Sequence, residues 1–114
     1  MTYEQVRKMA MELEGMEEGT SYGTAALKVR GALFARLKED GETLVLGTTF
    51  EERDGLMADD GETYFITDHY LNYPWVLVRL KRVKPAAMKE LLTRAWQLAR
   101  EKNKSSKRGR RSAD

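Results

Sequence analysis

The chain has 114 residues, 41% of them hydrophobic and 33% charged, which suits one domain with a modest core and excludes wholesale disorder. It contains no cysteine, so disulfides, thiolate metal sites and a cysteine nucleophile are excluded. The net charge of +2 hides an asymmetry: residues 101–114, EKNKSSKRGRRSAD, hold six basic against two acidic side chains, while the first hundred residues carry 14 basic against 16 acidic.

At the start, MTYEQVRKMAMELEG lacks the unbroken apolar centre of a signal peptide. Thr2 and Gln5 stand at capping-box spacing, and Tyr3, Val6, Met9, Ala10 and Leu13 recur with helical period. A helix is predicted over residues 2–14, stopped by Gly15. AALKVRG and ALFARLKE alternate as strands with Gly31 permitting a tight reversal between them. The EDGE turn (39–42) leads into a third strand, TLVLG, and TTFEERDGLMA reads as a short helix capped by Thr48 or Thr49 and weakened by Gly55. DDGE (59–62) turns into strand TYFIT, and DHYLNYP forms a looped crossover to a fifth strand, WVLVRL. Pro85 opens a last helix over 85–102, striped by Met88, Leu91, Leu92, Ala95 and Ala99 and widened by Trp96.

The element order is α-β-β-β-α-β-β-α. It predicts an α+β fold, an antiparallel sheet of about five strands with helices packed on one face. Residues 1–102 form the single domain. The basic tail 103–114 has no large apolar residue and is expected to be disordered. PWVLV, the longest apolar run, is too short to cross a bilayer. A cytoplasmic chain with no membrane partner is expected, in keeping with the missing cysteines.

The residues that carry chemistry are few. His69, the only histidine, follows Asp68 directly, and neighbours in extended chain point to opposite faces. No nucleophile elbow and no metal-ligand spacing accompany them. We therefore expect no enzyme, no catalytic residue, no metal and no cofactor. GTSYGT (19–24) lacks the spacing of a phosphate loop and precedes a strand where such a loop precedes a helix. Its glycines instead suit a bent entry to the sheet, with Tyr22 packed beneath them.

Strand alternation sets Leu27/Val29, Leu33/Ala35/Leu37 and Val76/Val78/Leu80 on one face. On the other it collects Lys28, Arg30, Arg36 and Arg79 beside Phe34, Trp75 and Phe65. Basic groups interleaved with aromatics suit a nucleic-acid strand, through phosphate contact and base stacking.

EEGTSYGTAALKVRGALFARL and FITDHYLNYPWVLVRL resemble the two signatures of the YjbR/MmcQ family of small bacterial proteins. The resemblance extends from about Val6 to Trp96. It implies a secretion-chaperone-like fold and the DNA-binding role generally ascribed to that family.

Two functions are expected. The first is weak, salt-dependent DNA binding through Lys28, Arg30, Arg36, Trp75 and Arg79, joined by Lys107, Arg108, Arg110 and Arg111 of the tail. The alternative is a protein- or small-ligand-binding domain, its pocket formed by Tyr22, His69, Tyr70, Tyr73 and Trp75 where the crossover loop meets GTSYG.

Overall fold

The computed structural model describes residues 1–101 in full and the backbone course as far as residue 113. The disorder expected of 103–114, and the four tail side chains named above, lie outside the fully described residues.

Thr2 caps the first helix, α1 (Tyr3–Ala10), as its spacing predicts. Its hydroxyl accepts from the Gln5 amide at 3.3 Å while the Gln5 side chain accepts from the Thr2 amide at 2.8 Å. The helix ends one turn before the predicted stop. Residues 11–15 continue as turns, and Gly15, at φ +74°, makes the reversal.

Four strands follow: β1 (Met16–Ser21), β2 (Thr24–Val29), β3 (Ala32–Leu37) and β4 (Thr43–Gly47). Helix α2 (Phe50–Asp59) comes next, capped by Thr49, then the short β5 (Tyr64–Phe65) and a 3₁₀ turn, Asp68–Tyr70. Strand β6 (Trp75–Arg79) precedes the long α3, Pro85–Ala113. All strand pairs are antiparallel, in the order β1-β2-β3-β4-β6-β5. The sheet therefore has six strands. The added one, β1, is an exposed edge whose polar MEEGTS lacks an alternating signal.

Aliphatic side chains of β2, β4 and β6 (Leu27, Val29, Leu44, Leu46, Val76, Val78) form one core with Val6 and Ala10 of α1 and Met88, Leu92 and Ala95 of α3. Both terminal helices thus cover the same face, as the element order requires. The Trp96 indole donates to the Glu14 carbonyl at 2.8 Å, which ties α3 to the end of the first helical segment.

Strand β3 departs from plain alternation. Leu27 pairs with Ala35, but the next residue, Lys28, pairs with Leu33, leaving Phe34 unopposed in a β-bulge. The bulge sends Phe34 into the helix-side core, where it is fully buried. The expected positions of Phe34 and Leu33 are corrected accordingly: Leu33 shares the opposite face with Lys28 and Arg36, and the aromatic is lost from it. A second correction concerns Tyr22. Tyr22 and Gly23 have φ of 55° and 79° and form the tip of the β1–β2 hairpin, and the tyrosine as a whole residue is 82% exposed rather than packed under glycines.

Candidate functional site: an aromatic cleft on the sheet

The sheet face away from the helices is only partly open. Residues 66–74 fold back across it, and Tyr70 joins Val45 and Leu77 in a small second core flanked by Phe65, Ile66 and Trp75. Short-range backbone bonds shape this loop, from the Tyr70 amide to Thr67, Leu71 to Asp68 and Tyr73 to Tyr70, and a side chain from outside holds it in place. Arg53, in α2 and 5% exposed, reaches in with its guanidinium. Its Nη1 donates to the carbonyls of Tyr73 at 2.7 Å, Tyr70 at 2.9 Å and Trp75 at 3.4 Å, and Nη2 donates to Leu71 at 3.2 Å. One buried cation thereby donates to three loop carbonyls and to that of Trp75 at the start of β6, adding charge-assisted bonds to the loop's own backbone ones. Sequence reasoning missed Arg53 because nothing within EERDG marks it.

Between this loop and the β1–β2 hairpin tip lies a cleft of about 320 Å³ lined by Tyr22, Leu33, Arg36, Val45, His69, Tyr70, Tyr73 and Trp75. All five residues expected at a pocket are brought together here. Leu33 is in the lining because of the bulge, and the Trp75 ring packs over Gly47, its cross-strand partner. The His69 ring meets Tyr70 edge-on at 4.7 Å and Tyr73 at 6.4 Å. Among the described residues no hydrogen bond or ion pair engages the imidazole, and no group of three or more His, Cys, Asp or Glu side chains could hold a metal.

Arg36 sits in this cleft and is 6% exposed. Its guanidinium donates to the Tyr70 hydroxyl at 3.0 Å, to Glu39 at 3.2 Å and to Thr24 at 3.3 Å, and lies 5.1 Å from the Tyr22 ring centroid. Burial alone would lower its pKa. The Tyr70 hydrogen bond and the Glu39 carboxylate more than offset that, so the net direction is upward and the group stays charged.

The expected basic face is therefore divided. Arg36 is enclosed by Tyr70 and Glu39. Arg79 stands at one end of the face, stacked 4.0 Å over Phe65 and opposite Thr43. Lys28 stands at the other end, opposite Leu33, and Arg30 occupies the β2–β3 turn at φ 53°. Between these ends the face is the apolar Val45–Tyr70–Leu77 patch. Alternation correctly assigns each of Lys28, Arg36 and Arg79 a side of the sheet but says nothing about what covers it.

The α+β fold is similar to that of a solved structure, Deinococcus radiodurans protein DR2400, which contains a DUF419 domain. The match covers 80% of this chain and 72% of that one with a TM-score of 0.69 at 23% identity. The YjbR family pattern matches residues 11–98, and the chain belongs to the YjbR family. The uncharacterized proteins Rv2570 of Mycobacterium tuberculosis (strain ATCC 25618 / H37Rv) and Mb2600 of Mycobacterium bovis are each 46% identical over 41 residues, 36% of this chain. The matched segment spans about a third of those relatives, 32% of their length. Among the described residues no helix is long and apolar enough to cross a membrane.

Proposed function

We propose that this chain is a binding module whose recognition site is the aromatic cleft, and that it takes a planar or aromatic group of a small ligand or peptide. The observation that carries this reading is convergence. The hairpin tip and the crossover loop, far apart in sequence, meet over one patch of sheet and leave an aromatic-walled space with a charged guanidinium inside it. Rings bind planar groups by stacking, and a few fixed polar groups orient them. Tyr22 holds a left-handed backbone conformation that a bulky residue rarely adopts, and such strain concentrates at functional sites. A binding role rather than a catalytic one accords with an imidazole that has ring neighbours but, among the described residues, no orienting carboxylate.

Titration with indole and benzoate carboxylates, followed by two-dimensional amide NMR, tests the reading. Shifts should cluster at Tyr22, His69, Tyr73 and the Trp75 indole, and Tyr73→Ala should weaken binding without unfolding the protein. Shifts confined to other surfaces would overturn it.

The second reading is DNA binding, favoured by the basic tail and by Arg79, which is exposed on the sheet face. In this reading Arg36 contributes through the cleft and not as a phosphate contact, because it is enclosed. Titrating DNA into the full chain and into one ending at Lys102 separates the possibilities. Log K should fall with log salt at about −0.9 per phosphate contacted on duplex DNA. Loss of all binding in the shortened chain would assign DNA affinity to the tail alone.

A further inference from the structure

On the helix side, α2 and α3 do not close over the sheet. They leave a groove of about 580 Å³, floored by Leu46, Tyr64 and Val76. Each helix turns one regular stripe toward it: Glu52, Gly55, Leu56 and Asp59 from α2, and Ala87, Glu90, Leu91 and Arg94 from α3. Residues at this spacing share a helix face. We infer that this groove is a second binding site, distinct from the cleft, for a small cationic amphiphile: an apolar ring or short chain bearing an amine.

Three observations converge on that class. The volume lies in the range of small-molecule sites, and the floor is apolar. The rim is acidic. Arg94 is already paired with Glu52 at 2.9 Å, whereas Asp59 and Glu90 have no ion-pair or hydrogen-bond partner among the described residues. The charge left over at the groove is therefore negative and complements an amine. Finally, Gly55 occupies the middle of α2, where glycine weakens a helix. A Cβ at that position would meet nothing within 4 Å, so internal packing does not require the glycine. What its missing side chain keeps clear is the groove.

The experiment uses the full chain and two naphthyl fluorophores of opposite charge: dansylcadaverine, which ends in a primary amine, and anilinonaphthalene sulfonate. Dansylcadaverine should bind at least about tenfold more tightly than the sulfonate, a difference of about 1.4 kcal/mol. Gly55→Leu places a side chain in the groove and should weaken it by about tenfold or more while circular dichroism stays unchanged. Ala87→Leu, on the opposite wall, gives the same readout should Gly55→Leu fail to fold. Glu90→Gln should cost about threefold, as befits an exposed charge. Tyr73→Ala should leave dansylcadaverine binding unchanged, which separates this site from the cleft. Equal binding of the two fluorophores, undiminished binding in both leucine variants, or no binding to the wild type would each overturn the inference.

Discussion

Replacing Arg53 with methionine should detach the crossover loop from α2. Methionine fills much of the same space but donates nothing, so the carbonyls of Tyr70, Leu71, Tyr73 and Trp75 lose their common partner. The two short bonds, at 2.9 and 2.7 Å, come from a charged donor, and such bonds contribute about 1.5–3 kcal/mol each. The longer pair, at 3.2 and 3.4 Å, contributes less, and the exposed neighbours Leu71 and Tyr73 let water replace part of it. Removing a buried cation also returns some desolvation energy. The balance is a loss of about 3 kcal/mol. With a urea m-value of about 2 kcal/mol/M, the unfolding midpoint should drop by about 1.5 M. Hydrogen exchange adds a local readout: the amides of Tyr73 and Trp75, which bond within the loop, should lose protection first. Arg53→Lys keeps the charge but gathers its donors at one point, so it should recover only part of the loss. A midpoint within about 0.3 M of wild type, with loop protection unchanged, would refute the clamp.

Phe34→Ala should destabilise by about 3–5 kcal/mol, measured by urea unfolding, because this ring is fully buried at the centre of the main core. Gly55→Ala should stabilise by about 1 kcal/mol and raise the melting temperature, since its Cβ enters open space. The Asp40 carboxylate is held below its ordinary range, first by the Glu42 amide and then by Thr43; the Asp60 carboxylate is held there first by the Thr63 hydroxyl. A depressed folded pKa contributes stability that is present above the unfolded value of about 3.9 and lost as pH falls below it. Urea midpoints should therefore fall between about pH 5 and pH 2, and Asp40→Asn should be less stable at neutral pH with a shallower acid slope.

What could be read from the sequence was what neighbouring residues decide. The capping box of Thr2 and Gln5, the apolar stripe of α3, the reversal at Gly31 and the alternation of β6 all rest on contacts or spacings within a few residues. The pocket residues were legible for a related reason: Tyr70, Tyr73 and Trp75 crowd one short segment, and Pro74 requires it to loop. Strand β1 escaped because an exposed edge strand need not alternate. The bulge at Phe34 escaped because register belongs to a pair of strands rather than to one. Arg36 was assigned the correct side, but its enclosure depends on Tyr70, a residue 34 positions away. Arg53 depends on carbonyls 17 to 22 positions away.

The bulge in β3 also bears on how such a core changes in size. If Phe34 were excised, Ala32, Leu33, Ala35, Arg36 and Leu37 would alternate without interruption, each on the face it now occupies. The ladder needs none of this residue, yet it is the largest fully buried side chain among the described residues. A substitution that enlarges a packed core has to displace its neighbours. An inserted residue accommodated by a bulge adds a whole ring while every flanking side chain keeps its place. In this strand, volume and register are separately adjustable.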